Sequence, residues 1–307
     1  MKLRALSSYD GDRNTRFGDC LLLYDSSCLV VYDCGHDRHA EEVGKFLDAH
    51  PQISQVYVVI SHNDTDHTAG VISLLNLLFN RGYAVTLYTS LYLKSAQKVL
   101  EILDDDRRTS GSVKRHILAL FDHIAELVTA AQNLGFTVSN ATKGQQFGSC
   151  EIVGPTEDEF CEVVAKAIED GDVSHIDGET VMNAASIQMK TTLDGNQDVL
   201  LCGDASPEYL HNLNSFAIIQ LPHHGKLDSA TTIFDKLYDP YVKEFLISDN
   251  TGSASTSGGS EKLVAYMQEE NYSPAWNTKQ QVVDLPASAR QGSSRGVRLG
   301  AMDFHLW

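Results

Sequence analysis

The sequence predicts an α/β protein, and three observations support this fold class. Over the first 90 residues, short apolar segments of strand character alternate with segments whose apolar residues recur at helical spacing. A polar loop with several possible metal ligands follows one of these strands, where α/β sheets usually carry their functional residues. After a helical and charged stretch, strand-like segments return and continue to about residue 249.

The first part of the chain divides into simple elements. Short runs rich in apolar and β-branched residues, bounded by Gly, Asp or Ser, predict strands at 3–9, 19–25, 28–35, 56–60 and 83–90. Apolar residues at helical spacing predict helices at 40–50 and 70–80. Pro51 ends the first helix, because proline cannot supply the next backbone hydrogen bond.

Residues 91–135 are predicted to form a helical insertion within a single domain that spans residues 1–307. The tract LDDDRRTSGS at 103–112 is interpreted as a mobile break between two of its helices. Beyond the insertion, a helix is predicted at 157–170, and strands are predicted at 136–141, 149–155, 185–191, 198–204, 216–225, 243–249 and 298–307. The remaining stretches are predicted loops, at 171–179, 251–260 and 286–296.

The composition excludes some classes of function. The 307 residues include 41 acidic and 24 basic side chains, for a formal net charge of −17. Because non-specific nucleic-acid binding depends on clustered Lys and Arg, a broad DNA-binding surface is not expected. No stretch reaches the roughly 20 apolar residues of a membrane span, and no apolar signal region follows the N-terminus. The six scattered cysteines include no CxxC pair, so a cytoplasmic protein with reduced thiols and no membrane association is expected.

The loop SHNDTDHTAG at 61–70 concentrates possible metal ligands. Alternate residues of an extended segment share a side, so His62 and Asp64 can reach one cation while Asp66 and His67 reach a second. The alternative is a solvated loop in which Asp66 or Thr68 caps the next helix. Four such residues within six positions favour the metal site.

Two later segments add ligands of the same kind. LLCGDAS at 200–206 is an apolar strand that ends in Gly203 and Asp204, and glycine allows close backbone approach. LPHHGKLDSA at 221–230 is an apolar strand that ends in His223 and His224. Three clusters of His and Asp at strand ends are hard to explain without a metal.

These three motifs, in this order, resemble those of the metallo-β-lactamase superfamily, in particular the nuclease domain of ComEC-type DNA-uptake proteins. That branch similarly has His-x-Asp-x-Asp-His in place of the commoner His-x-His-x-Asp-His. FGDCLLLY at 17–24 and VVYDCG at 30–35 also fit the family pattern, and the similarity extends over residues 17–250.

The resemblance implies a four-layer αββα sandwich with two divalent metal ions, zinc or manganese or else magnesium, at one edge of the facing sheets. Two such ions, roughly 3.5–4 Å apart, lower the pKa of a bridging water toward 7 and so generate hydroxide. The first ion would have His62 and Asp64 as ligands, the second would have Asp66, His67 and His223, and Asp204 would bridge them.

Catalytic roles are implied for Asp66 and Asp204, which hold the ions, and for two further residues. His224 is either a ligand or a group that holds the phosphate. Lys226 stands where the family more often has a small hydroxyl residue, and it either pairs with an anionic substrate or is a solvated surface lysine.

One ligand of the family pattern is missing. The usual third ligand of the first metal is a histidine before the strand that leads to Gly-Asp, where this chain reads TVMNAASIQM. Asn183, a water or His175 could complete the site, or it is weakly occupied. His36 and His39 could approach the metals, although a position at the exposed start of a helix is favoured for both.

The preferred function is that of a metal-dependent hydrolase, specifically a phosphodiesterase or nuclease. Acidic ligands favour harder cations such as Mn²⁺ or Mg²⁺ over an all-histidine zinc site. The negative charge favours a small nucleotide substrate, or nucleic acid held by a partner protein. The alternatives are a hydrolase of a thioester, lactone or lactam, and a degenerate metal-binding interaction module.

Overall fold

The computed structural model describes residues 1–6, 18–90, 96–103, 109–120, 122–170, 175–176, 179–249, 261–272, 275–279 and 281–287. The α-helices in these ranges are α1 (Asp37–Ala49), α2 (Thr65–Thr68), α3 (Val71–Asn80), α4 (Ala96–Leu103), α5 (Ser110–Leu120), α6 (Asp122–Asn133), α7 (Glu157–Asp170), α8 (Val181–Ala184), α9 (Leu227–Lys236) and α10 (Glu261–Glu269).

The strands of the first half are β1 (Lys2–Ala5), β2 (Leu21–Tyr24), β3 (Cys28–Tyr32), β4 (Gln55–Val59), β5 (Ala84–Thr89), β6 (Thr137–Asn140), β7 (Gln146–Phe147) and β8 (Cys150–Gly154). Those of the second half are β9 (His175–Ile176), β10 (Glu179–Thr180), β11 (Gln188–Leu193), β12 (Gln197–Leu201), β13 (Ile218–Gln220), β14 (Glu244–Ile247), β15 (Ala275–Asn277) and β16 (Val283–Leu285).

Two seven-stranded mixed sheets form the centre of the protein. The first has the order β16-β1-β2-β3-β4-β5-β6, with β3 to β6 parallel, and the second has the order β15-β14-β13-β12-β11-β8-β7, with β12 to β15 parallel. Parallel neighbours need crossover connections, which α1, α3 and α6 provide on the first sheet. These helices bury the outer face of that sheet, where Val43, Leu74 and Leu127 are completely inaccessible to solvent.

The inner faces of the two sheets pack against each other. Their shared core includes Leu23 and Tyr32 from the first sheet and Met189 and Leu246 from the second. On the outer face of the second sheet, α9 and α10 cover a further apolar cluster around Phe245. The layers are therefore helix, sheet, sheet and helix, which confirms the predicted αββα sandwich.

Most predicted elements are present with shifted ends. The helix predicted at 40–50 begins earlier, at Asp37, and the strand predicted at 216–225 ends at Gln220, before the two histidines. The loop predicted at 171–179 was partly wrong, since β9 and β10 form a small antiparallel pair there. β15 and β16 were not predicted, and the loop at 251–260 and the last strand, at 298–307, lie outside the described residues.

The helical character predicted for the insertion is confirmed by α4, α5 and α6, while residues 104–108, half of the break predicted at 103–112, lie outside the described residues. A single domain over 1–307 stays a prediction. Among the described residues, no helix combines the length and the apolar character that crossing a membrane requires.

The topology brings polar loops together at one edge of the sandwich. The loops after β3, β4, β12, β13 and β14 all begin at the carboxyl ends of parallel-paired strands. Two backbone hydrogen bonds hold the loop after β4 to neighbouring segments, from Ile187 N, before β11, to Ser61 O (2.8 Å) and from Asp19 N, before β2, to Asp66 O (2.8 Å). The edge that carries the polar residues is thus fixed by main-chain contacts.

One buried histidine in α1 makes the fold sensitive to acid. His39 is fully buried, neither ring nitrogen has a hydrogen-bond partner in the described structure, and burial lowers its pKa to about 3. The sequence had favoured an exposed position for it, which was wrong. In the unfolded chain the pKa returns to about 6.5, so between these values the unfolded state binds more protons and stability falls as the pH falls.

We expect His39→Leu to stabilise the protein against acid, because leucine fills the space without a proton to bind. The variant's free energy of unfolding should exceed that of wild type by about 2 kcal/mol more at pH 5 than at pH 7. Chemical unfolding of both metal-free proteins at the two pH values measures this difference. An equal effect of the substitution at both pH values would show that His39 is not the acid-sensitive group.

Candidate metal centre

The loop after β4 folds into the short helix α2, in which His67 and Thr68 are buried. Asp64 occupies the N-cap position of α2, although its side chain makes no capping hydrogen bond there, and Gly70 takes the equivalent position before α3. Neither Asp66 nor Thr68 caps either helix; the Thr68 hydroxyl donates to the Asp64 carbonyl at 2.8 Å. The capping alternative is therefore not observed in this loop.

Asp204 lies at the centre of the site. Its Oδ2 is 3.8 Å from His62 Nε2 and 3.3 Å from His223 Nδ1, and its Oδ1 is 3.4 Å from His67 Nε2. The His223 backbone amide donates to the same Oδ1 at 3.1 Å. A single buried carboxylate therefore faces imidazoles from two different loops.

Asp66 and His224 form a second contact beside Asp204. His224 Nε2 is 3.1 Å from Asp66 Oδ2, and the rings of His224 and His67 are 5.3 Å apart. On the other side, Asp64 Oδ2 lies 3.8 Å from His62 Nε2, and the Asp64 side chain is 41% exposed. The site thus has a buried half around His67 and His224 and a more open half around Asp64.

Buried carboxylates support two of the histidines from behind. Asp33 Oδ2 is 2.8 Å from His67 Nδ1, and Asp19 Oδ1 is 3.0 Å from His224 Nδ1. Ser61 fixes Asp33 by donating from its amide and its hydroxyl, both at 2.7 Å. Such carboxylate–histidine pairs set the tautomer and orientation of metal-ligating imidazoles.

The residues present fit divalent metal ions. His62 Nε2 and His67 Nε2 are buried and make no hydrogen bond within the described structure. His62, His67 and Asp204 bring ligand atoms within 4.8 Å of one another, as do His67, His224 and Asp19. Ligand bonds of about 2.1 Å in tetrahedral geometry place ligand atoms about 3.4 Å apart, close to the distances around Asp204. The two buried clusters are consistent with a binuclear site.

The ionisation of these groups reflects their mutual charge. Burial lowers the pKa of His62, with a further contribution from His67. Burial alone would also lower the pKa values of His67 and His224. The negative charges of Asp204 and Asp33 outweigh burial at His67 and raise its pKa well above the usual range. Asp19 and Asp204 have the same effect on the pKa of His224.

The acidic groups respond in the opposite direction. Burial alone would raise the pKa of Asp204, but His67 and His224 hold it well below its ordinary value. Burial alone would likewise raise the pKa of Asp66, but the hydrogen bond with His224 and the charge of His67 lower this pKa below its ordinary value. Asp66 and Asp204 are therefore held ionised, and ionised carboxylates can bind cations.

Backbone strain is concentrated at this edge. Among the described residues, six that are not glycine have positive φ, and three of these are the site residues Asp33 (62°), His223 (54°) and His224 (55°). The other three are asparagines, which tolerate this conformation better. Strained residues persist where surrounding structure holds them, and they cluster at functional sites.

Gly18 explains the glycine of the FGD motif. Its φ is +64°, and a Cβ atom there would lie 1.7 Å from the Asp66 carbonyl oxygen. No side chain could fit without moving the metal loop. The segment before β2 therefore packs its backbone directly against the backbone of the metal loop.

A cavity of about 470 Å³ opens onto the site. The ten residues that line it are polar or small: Gly35, His36, Asn63, Asp64, Thr65, Asp66, Ala69, Asp204, His223 and His224. His36 caps α1 as well, because its Nδ1 accepts from the Arg38 amide at 3.1 Å. In a neutral imidazole that accepts at Nδ1, the proton is on Nε2.

The other predicted residues have different positions. Lys226 is partly exposed at the start of α9, where its carbonyl accepts from Ala230 N at 3.0 Å. Asn183 is buried in α8, near Ser186, whose hydroxyl accepts from the Asp204 amide at 3.2 Å. His175 lies in β9. The roles of these residues and the ligand assignments stay predictions.

Sequence reasoning missed the residues behind the ligands. Asp19 and Asp33 were noticed only as parts of motifs that fit the family pattern, and no role was given to either. Gln220, which supports Asp19 together with Ser248, was not noticed. Gln220 did carry a signal, since it is a polar residue within the apolar run FAIIQLP.

Comparison with known proteins agrees with this description. The sequence model described as "Metallo-beta-lactamase superfamily" matches residues 13–139. No curated protein matches the chain.

Three solved structures of low sequence identity are similar to this chain. The metallo-beta-lactamase fold protein YhfI from Bacillus subtilis is 13% identical, with a TM-score of 0.46 over 90% of this chain and 95% of its own. The short form of human tRNase Z is 12% identical, with a TM-score of 0.37 over 92% of this chain and 95% of its own. The long form of RNase Z from yeast is 11% identical, with a TM-score of 0.39 over 80% of this chain and 37% of its own.

Proposed function

We propose that this protein, which has the metallo-β-lactamase fold, is a divalent-metal-dependent hydrolase that cleaves phosphodiester bonds in nucleic acid or in a smaller nucleotide. One observation carries the proposal. Asp204 lies buried near both His62 and His67, and Asp64 and Asp66 line the same cavity. Bound there, two divalent ions would supply positive charge to a phosphoryl oxygen and lower the pKa of a water.

The chain's own groups would hold and separate the two ions. His62 and Asp64 are placed for the first ion, and Asp66 and His67 for the second, with Asp204 between them. The deeper burial of His224 and its contact with Asp66 favour it as a ligand of the second ion. His223 Nδ1 lies instead 3.3 Å from Asp204 Oδ2, the oxygen that also faces His62. His223 would then be placed to contact the substrate.

The acidic ligands support phosphodiester chemistry over lactam chemistry. At position 64 the commoner family motif has an imidazole, whereas this chain has a carboxylate. Its oxygen atoms are hard ligands, which favour Mn²⁺ or Mg²⁺ relative to zinc. This substitution also underlies the resemblance to the ComEC-like branch. Among the residues that line the cavity, no apolar side chain is larger than that of Ala69, so an acyl chain would find few apolar contacts.

His36 supports a phosphate substrate. Its Nδ1 is used as the cap of α1, so the neutral ring carries its proton on Nε2, on a residue that lines the cavity. An N–H donor of this kind can bind a phosphate oxygen. The net charge of −17 favours a small nucleotide substrate, or a nucleic acid that a partner protein delivers.

The proposal is tested by reconstituting the metal-stripped protein with Mn²⁺ or Zn²⁺ and offering it a mixed substrate panel. The panel holds single-stranded DNA, duplex DNA, RNA and bis-p-nitrophenyl phosphate, beside a thioester, a lactone and a β-lactam. We expect metal-dependent cleavage within the phosphodiester group, and its loss in the variant Asp66→Ala/His67→Ala.

A matched double variant, Asp48→Ala/His211→Ala, removes one carboxylate and one imidazole from exposed surface positions and should keep the activity. Cleavage confined to the thioester, lactone or lactam would replace the phosphodiesterase assignment with the acyl-hydrolase alternative. A folded protein that binds metal and cleaves nothing in the panel would favour the degenerate binding module.

A further inference from the structure

We infer that Asp19 is a positioning residue for the metal centre, because its buried carboxylate fixes the His224 ring with Nε2 directed to Asp66. This role rests on the proposed function in one respect, that a divalent ion binds between these side chains. It assigns a task to the second residue of the Gly18-Asp19 pair, which lies outside the three ligand motifs.

Both carboxylate oxygens of Asp19 are committed to hydrogen bonds inside the protein. Asp19 is completely buried. Its Oδ1 is 3.0 Å from His224 Nδ1, and its Oδ2 accepts from the Ser248 hydroxyl at 2.6 Å and from Gln220 Nε2 at 3.0 Å. With three partners on two oxygens, Asp19 is better placed to support a ligand than to act as one.

These contacts determine the tautomer of His224. Its Nδ1 lies 3.0 Å from Asp19 Oδ1 and 3.0 Å from the Ser248 carbonyl oxygen, and both of these atoms are acceptors. The Nδ1 atom must therefore carry a proton. Nε2 faces Asp66 Oδ2 at 3.1 Å and can donate a second proton to it when no metal is bound. A divalent cation bound there would replace that proton between the two atoms.

The same arrangement occurs at His67 but not at His62. His67 Nδ1 faces the buried Asp33 carboxylate at 2.8 Å, whereas His62 Nδ1 faces the neutral Ser61 hydroxyl at 2.9 Å. A carboxylate behind an imidazole raises its basicity as a ligand. Both proposed histidine ligands of the second ion therefore have a carboxylate behind them, Asp33 at His67 and Asp19 at His224.

Asp19 also joins the two sheets at the site. It precedes β2 of the first sheet, while its partners Gln220 and Ser248 lie at the ends of β13 and β14 in the second. Its backbone amide donates to the Asp66 carbonyl at 2.8 Å. Asp19 thus holds both the backbone of Asp66 and the ring of His224, two of the proposed ligands.

Asp19→Asn tests the role, with Mn²⁺ affinity measured from the free-ion signal in electron paramagnetic resonance. We expect binding about 10–100-fold weaker than in wild type, because the anionic support of His224 is lost. The matched control is Asp249→Asn, which neutralises another fully buried carboxylate, whose Oδ2 lies 3.7 Å from Lys279 Nζ. The control should bind Mn²⁺ as wild type does.

A second measurement uses the wild-type chain, so it stands even if Asp19→Asn fails to fold. Long-range ¹H–¹⁵N spectra of the Zn²⁺-loaded protein, with His224→Gln to assign the ring, should show the proton of His224 on Nδ1. A proton on Nε2, or unchanged Mn²⁺ affinity in folded Asp19→Asn, would overturn the role of Asp19. A wild-type protein that binds no metal would instead reject the proposed function itself.

Discussion

Asp204→Ala is expected to lower phosphodiester cleavage on the order of 10²–10³-fold or more, the largest effect of any single substitution in this protein. The carboxylate lies within 3.8 Å of His62, His67 and His223, so its removal takes a shared ligand from both proposed ions. The effect should fall on kcat, because charge on the reacting phosphoryl group would be stabilised less. Steady-state hydrolysis of bis-p-nitrophenyl phosphate at saturating Mn²⁺ measures it.

The matched control for this variant is Asp198→Ala. Asp198 lies on β12, the strand that leads to Asp204, but it is exposed and accepts from the Thr192 hydroxyl at 2.6 Å. Its removal should leave the activity near that of wild type. If folded Asp204→Ala kept more than about a tenth of the wild-type activity, Asp204 would not hold the reacting metal ions.

Divalent metal is expected to stabilise the folded protein strongly. The site collects Asp64, Asp66 and Asp204 around buried imidazoles, and a cation that binds this arrangement only in the folded state shifts unfolding to higher temperature. When the free metal concentration is a thousand times Kd, the free energy of unfolding increases by about 4 kcal/mol. Differential scanning fluorimetry of the metal-stripped protein with increasing Mn²⁺ or Zn²⁺ measures it.

The two ions should bind unequally. The proposed second position has His67 and His224, both supported by buried carboxylates, whereas the first has His62 and the 41% exposed Asp64. We therefore expect a tight equivalent followed by a weaker one in a titration. The same rise in Tm for Asp204→Ala as for wild type would show that the ions bind elsewhere.

The fold was predictable where local pattern and topology agree. The 3.6-residue spacing in α3 and the buried run of β4 define those elements without ambiguity. β15 and β16 are three residues each, too short for any periodicity, and they form only because β14 and β1 offer open edges. The strand predicted through Pro222 ends earlier because proline lacks the amide that a sheet requires and the histidines adopt positive φ.

The proposed metal ligands could be predicted from the sequence, but the residues that hydrogen-bond to those ligands were harder to predict. His62, Asp66 and Asp204 stand out because charged or polar groups directly follow apolar strands. The pairing of Asp19 with His224 joins residues 205 positions apart and depends on how the two sheets face each other. No local pattern in a single sequence encodes such a distance, so this contact required the three-dimensional structure.

The most direct test of the proposed metal centre is anomalous diffraction from crystals of the protein grown with Mn²⁺, collected near the manganese edge. We expect a strong peak in contact with His67, Asp204 and Asp66 or His224, and a weaker one beside His62 and Asp64. A well-ordered structure at saturating Mn²⁺ with no anomalous peak among these side chains would contradict it.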